Sequence, residues 1–86
     1  MPMRLTGNLI KIYRLNKRLT QKEFAKRINI SQAMLSYFEN EVYWLTPETE
    51  AKIRKAFAID DQILKALLEA YEATISNERE EGNYDI

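Results

Sequence analysis

The chain contains no cysteine and no histidine, and only two glycines, Gly7 and Gly82, and two prolines, Pro2 and Pro47. Without cysteine there is neither a disulfide framework nor a thiolate zinc site. Without histidine there is no imidazole base and no imidazole metal ligand. Two isolated glycines cannot build the phosphate-cradling loop of a nucleotide site. Carboxylates are plentiful, yet no spacing singles out a pair for acid–base work. Enzymatic chemistry, a metal and a cofactor are therefore not expected. Hydrophobic runs are short: none approaches the roughly 20 apolar residues that span a bilayer. Met1-Pro2-Met3-Arg4 lacks the apolar stretch of a secretion signal. The expectation is a soluble cytoplasmic protein without a membrane partner.

What is present fits one small domain. The 86 residues are 45% hydrophobic and 30% charged, a balance typical of globular rather than disordered chains. At this length the apolar residues must be used efficiently, or burial must be gained by assembly. The net charge of zero conceals a division. Residues 1–57 hold eleven Lys and Arg against five acids, and residues 58–86 hold two against eight. A basic body with an acidic extension suits a polyanion partner for the first part, and it suits two ordinary solvated faces equally well.

The punctuation of the chain predicts short helices and no strands. The first helix is expected over Gly7–Leu15, with Leu9, Ile12 and Tyr13 inward and Asn16 as its stop. Thr20-Gln21-Lys22-Glu23 is a capping box that opens a second helix carrying Phe24, Ala25 and Ile28 inward. Ser31 caps a third, Gln32 to about Asn40, with Leu35 and Phe38 on its inner face. Thr46-Pro47-Glu48 starts a fourth, which presents Ala51, Ile53, Ala56 and Phe57. Asp60 caps a fifth, striped by Ile63, Leu64, Leu67, Leu68, Tyr71 and Ile75. From about Ser76 an acidic tail is expected to fray.

Two short helices joined by a tight turn, residues 20–40, make a helix-turn-helix. Ala25 sits where the pair must approach closely, and Asn29 occupies the turn, where positive φ is needed. Together Gln21, Ala25, Ile30, Ser31, Leu35, Phe38 and Glu39 form a joint pattern. It resembles the lambda-repressor-like helix-turn-helix family (Cro/C1-type, XRE), over about residues 5–60. The resemblance implies an all-α, five-helix fold with its DNA-binding domain over 1–59; the apolar stripe and the composition add residues 60–76 as an extended C-terminal helix, the fifth, and 77–86 as a flexible acidic tail. It also implies double-stranded DNA as partner and transcriptional regulation, usually by a dimer.

Gln32, Ala33, Ser36, Tyr37 and Asn40 fall on one stripe opposite Leu35 and Phe38. Their chemistry suits base edges: Gln32 can pair with adenine, the Ala33 methyl can touch thymine, and Ser36 can bond to several bases. The resemblance implies base reading by Gln32, Ala33 and Tyr37, and phosphate contacts by Gln21 and Asn40. It also implies a structural ion pair between Arg14 and Glu39. Lys11, Lys17, Arg18 and Lys22 are candidates for further phosphate contacts, although each alone is an ordinary exposed cation.

The pattern breaks just after the third helix. Relatives often carry Gly and Lys or Arg there, whereas this chain has Glu41-Val42-Tyr43-Trp44-Leu45 with no basic residue. Since phosphate neutralisation supplies most of the affinity, weaker or more salt-sensitive binding is expected. Trp44 and Tyr43 have the chemistry to stack on DNA sugars, but buried loop packing is the commoner fate of such residues, so Trp44 is expected in the core, with Tyr43 left open. The stripe Ile63, Leu64, Leu67, Leu68, Tyr71 and Ile75 exceeds what packing on the fourth helix requires, so homodimerisation through it is preferred over its folding back to complete the core. The competing functional class is a protein-interaction adaptor, anti-repressor or antitoxin that uses the same fold and contacts a protein partner through the C-terminal helix.

Overall fold

Four of the five helices end in the same way, and none of those endings uses glycine. The computed structural model describes residues 4–84, with side chains described through residue 75. The elements are α1 (Gly7–Asn16), α2 (Gln21–Arg27), α3 (Gln32–Glu39), α4 (Pro47–Phe57) and α5 (Asp61–Tyr84), and no strand occurs among the described residues. After α1 to α4 comes a left-handed residue: Arg18 (φ 56°), Asn29 (57°), Glu41 (60°) and Ala58 (51°). The next N–H then reaches back five residues: Leu19 to Arg14, Ile30 to Ala25, Val42 to Tyr37 and Ile59 to Arg54. This pattern satisfies carbonyls that a helix end otherwise leaves open, and it normally tucks an apolar residue against the last turn. Leu19, Ile30 and Ile59 follow that rule, whereas Val42 is 59% exposed.

Sequence reasoning located Asn29 in this role but stopped α1 at Asn16. Instead α1 runs through Asn16, and the reversal falls on Arg18, because Leu19 is the residue that packs back on the core.

Helix starts are equally regular. The hydroxyls of Thr6, Thr20, Ser31 and Thr46 accept from the N–H three residues on, and Asp60 Oδ1 accepts from Ile63 N–H. Each such cap is worth roughly 0.5–2 kcal/mol. At Thr20 the box is complete: its N–H donates to Glu23 Oε1 and its hydroxyl accepts from Glu23 N–H, both at 3.1 Å. The Thr20 N–H and hydroxyl hold the Glu23 carboxyl below its ordinary range. That support for α2 is therefore present above the unfolded pKa and fades as pH falls through the folded one.

The core is centred on α1, which packs against both α3 and α5. Leu5, Leu9, Ile10, Phe24, Ile28, Leu35, Ile53 and Leu64 are almost fully enclosed. Phe57 stacks on Phe24 (centroids 4.3 Å, 8° between planes) and meets Tyr13 edge-on, while Tyr13 Oη donates to the Phe57 carbonyl at 3.3 Å. On α4 the expected inner face differs: Ile53 is buried and Phe57 half-buried, but Ala51 and Ala56 are exposed. Glu50 is buried in their place, because its Oε2 accepts the Leu5 N–H at 2.9 Å and thereby ties the chain ahead of α1 to α4.

Leu64 and Leu67 are closed into this same core, with Ile63, Leu68, Tyr71 and Ile75 half-buried. The fold-back alternative therefore describes Leu64 and Leu67, which complete the core because α5 returns along α1. Helix α5 itself continues to Tyr84, past the boundary near Ser76 drawn from composition. Glu78, Arg79, Glu80 and Glu81 are good helix formers, which accounts for the continuation. The side chains of the acidic tail, and residues 85 and 86, lie outside the described residues.

A left-handed alanine carries a Cβ penalty that glycine escapes. Ala58→Gly should therefore stabilise the domain by about 0.5–1 kcal/mol and raise its melting temperature by roughly 2–8 °C. Thermal unfolding followed by circular dichroism checks this; an unchanged or lower midpoint contradicts it.

Candidate nucleic-acid interface

The third helix is held from behind by a buried ion pair. Arg14 Nε donates to Glu39 Oε2 at 2.7 Å and Arg14 Nη2 to Glu39 Oε1 at 3.0 Å, a two-pronged contact between α1 and α3. The side chains are 9% and 1% exposed. Arg14 Nη1 also donates to the Leu19 carbonyl at 2.9 Å, and Gln21 Nε2 donates to Glu39 Oε1 at 3.1 Å. One carboxylate thus gathers α1, α2 and α3. No buried side-chain polar atom among the described residues lacks a partner, so the pair carries its desolvation with every hydrogen bond made.

Gly7 makes the approach of α1 to α3 possible. A Cβ there would lie 1.7 Å from the Phe38 carbonyl oxygen, a backbone atom that cannot move aside. Close by, Glu41 Oε1 accepts the Asn8 N–H at 3.2 Å, so the loop after α3 caps the start of α1. A carboxylate at a helix N-terminus is favourably placed against the macrodipole.

With its back fixed this way, α3 turns Gln32, Ala33, Met34, Tyr37 and the cap residue Asn40 outward. Ser36 is half-buried and bonded within the helix end: Asn40 Nδ2 donates to the Ser36 carbonyl at 2.8 Å and to its Oγ at 3.2 Å. Gln21 borders this surface, but its amide is engaged with Glu39. Lys22, in the first turn of α2, and Lys11 are exposed. Lys17 sits apart, its Nζ 5.6 Å from the centre of the Tyr13 ring, lining grooves with Phe57 and Ala58. Arg18 occupies the left-handed position that ends α1. None of Lys11, Lys17, Arg18 and Lys22 forms an ion pair among the described residues.

The loop after α3 departs from expectation in one respect. Trp44 is not core: it is 83% exposed, beside Val42 at 59% and Tyr43 at 51%. The core position in this loop belongs to Leu45, 8% exposed, because the cap at Thr46 fixes where α4 begins and Leu45 is the residue turned inward ahead of it. Tyr43 meets Tyr37 edge-on, with ring centroids 5.2 Å apart. Leu45, Ile10 and the carboxylate of Glu50 were not identified from sequence. Their partners are 41 to 46 residues away or on other helices, where no local pattern shows them.

A family model, HTH_3 (helix-turn-helix), matches residues 10–64, from within α1 to the start of α5. The chain belongs to the Cro/C1-type (XRE) helix-turn-helix family. No curated protein and no solved structure matches it. As a member of this family it is a DNA-binding regulator, and its nucleic-acid partner is double-stranded DNA. No described helix is long and apolar enough to cross a membrane.

If the buried pair fixes α3, removing one partner leaves an unanswered charge. Arg14→Leu should destabilise the domain by about 3–5 kcal/mol, whereas Arg14→Leu combined with Glu39→Leu should recover a large part of that. Denaturant unfolding of both variants checks it; equal losses would contradict the argument.

Proposed function

We propose that this helix-turn-helix protein is a sequence-specific transcriptional repressor that places α3 in the major groove. The observation carrying this reading is the outward row Gln32, Ala33 and Tyr37 on a helix whose other side is locked by Arg14, Glu39 and Gln21. A helix fits the major groove, and residues at its N-terminal end reach base edges. Gln32 reads adenine through its amide, Ala33 meets a thymine methyl, and Tyr37 reaches a base or a phosphate. Asn40 and Lys22 flank the row and position the backbone, with Lys11 and Gln21 as secondary contacts. In this reading the protein acts in the cytoplasm as a homodimer on half-sites about 34 Å apart. With Leu64 and Leu67 enclosed, the dimer contact falls to the half-buried Leu68 and Ile75 on α5.

A second reading, a protein-interaction adaptor or anti-repressor on the same fold, is favoured by one feature. Neither α3 nor the loop after it carries a basic residue.

Fluorescence anisotropy with labelled duplexes from the region flanking the gene, at two salt concentrations, separates the two readings. The wild-type chain should select one duplex, and Gln32→Ala should weaken that binding by roughly 5- to 150-fold, the cost of one bidentate base contact. Indifference to Gln32→Ala removes α3 as the reading helix, and no duplex binding at low salt favours the adaptor. Sedimentation analysis supplies the oligomeric state, and a concentration-independent monomer rejects the dimer.

A further inference from the structure

Of the six large hydrophobics exposed among the described residues, five fall on α3 and the loop that follows it: Met34, Tyr37, Val42, Tyr43 and Trp44. Val42 and Tyr43 stand in solvent against Tyr37, itself 44% exposed, and Trp44 follows them in the chain, 83% exposed beside Arg4, Thr6 and Gly7 at the start of α1. This loop is not an independent flap. Val42 N–H donates to the Tyr37 carbonyl at 2.9 Å, Tyr43 N–H approaches the same oxygen at 3.3 Å, and the Tyr37 and Tyr43 rings pack edge to face. A surface that meets Tyr37 on α3 therefore lies beside Tyr43 as well.

The core does not enclose Val42, Tyr43 or Trp44. The turn at Glu41 is of the same form as those at Arg18, Asn29 and Ala58, but only here does the following hydrophobe, Val42, point away from the core. An isolated exposed tryptophan needs no explanation, whereas a cluster joined to a binding helix marks a contact surface. Val42, Tyr43 and Trp44 are themselves uncharged, and Glu41 is the one exposed carboxylate beside them. Glu39 is closed off by Arg14 and Gln21, and the Glu41 carboxylate is held against the start of α1.

We propose that Trp44, together with Val42 and Tyr43, is an uncharged DNA contact that packs against the deoxyribose edge of the duplex beside the major groove. The proposal rests on α3 being the helix that enters the groove. Sugar carbons offer an apolar face between consecutive phosphates, and an exposed indole loses most of its hydrated surface when it packs there. Such a contact releases no counterion, so it adds affinity without steepening the salt dependence.

The test compares Trp44→Ala with Lys22→Gln and Gln32→Ala by anisotropy of labelled duplex over a salt series. Trp44→Ala should weaken binding roughly tenfold on selected and unselected duplexes alike, because the sugar face is common to all sequences. The slope of log affinity against log salt should stay unchanged, whereas Lys22→Gln should lessen that slope by about one. Trp44 is also the single tryptophan, so its emission reports the contact directly: saturating duplex should shield it from acrylamide. Because the residue is exposed, Trp44→Ala should melt as wild type, which separates lost contact from lost fold. Wild-type affinity for Trp44→Ala, with acrylamide access unchanged while Gln32→Ala still fails, overturns the loop contact and leaves the reading helix standing. Absence of duplex binding by the wild-type chain overturns both. Shielding of Trp44 at high protein concentration without DNA assigns the patch to a second copy of the chain instead, and overturns the proposal.

Discussion

A carboxylate with one per cent of its surface in water has to be answered in kind, and Glu39 is answered from three sides. Arg14 supplies two nitrogens, Gln21 a third, and the remaining guanidinium nitrogen goes to the Leu19 carbonyl in the turn between α1 and α2. This cluster sets the distance of α1 from α3 and the angle at which α2 meets both. Apolar packing by Phe24, Ile28 and Leu35 fills the space between those helices but does not by itself choose one arrangement within it. A fork-shaped charge pair does, since both prongs are satisfied in a single geometry. The outward orientation of Gln32, Ala33 and Tyr37 follows from it.

The helix-turn-helix is accordingly not a portable piece. Residues 20–40 hold Glu39 without Arg14, so isolating them would remove the partner that fixes α3 from behind. The same holds for the close approach at Gly7, where the start of α1 touches the end of α3 backbone to backbone. The start of α1 is therefore already occupied by Phe38 and Glu41, and its amides are not available as an anion site. In the proposed reading, phosphate positioning falls to side chains around α2 and to the residues just beyond α3.

What was legible in the sequence were the features that act within one turn of helix. Thr20 with Glu23, Ser31, Thr46 with Pro47, and Asp60 all announce helix starts through bonds spanning three residues. The outward row of α3 followed from the positions of Leu35 and Phe38. Helix ends were harder, because glycine is the usual flag and these turns use arginine, asparagine, glutamate and alanine. The apolar residue immediately after each turn is the better marker in this chain, as Leu19, Ile30 and Ile59 show. Contacts across long separations stayed hidden: Glu50 with Leu5, Asn8 with Tyr71, and the return of α5 onto α1. Trp44 went the other way. Its size and apolar character suggested burial, but Leu45 occupies the inward position and leaves the indole outside.

That placement has an optical consequence. The emission of the lone tryptophan comes from a ring that is hydrated before the chain unfolds and hydrated afterwards, so it is nearly silent in a denaturation experiment. The tyrosines divide differently: Tyr13 is enclosed among α1, α4 and α5, while Tyr37 and Tyr43 stand at the surface. Backbone ellipticity therefore tracks the cooperative loss of the fold, and among these three tyrosines Tyr13 is the one that senses the core. Tryptophan emission tracks the immediate surroundings of one loop, and the two signals can be read from the same sample as independent channels.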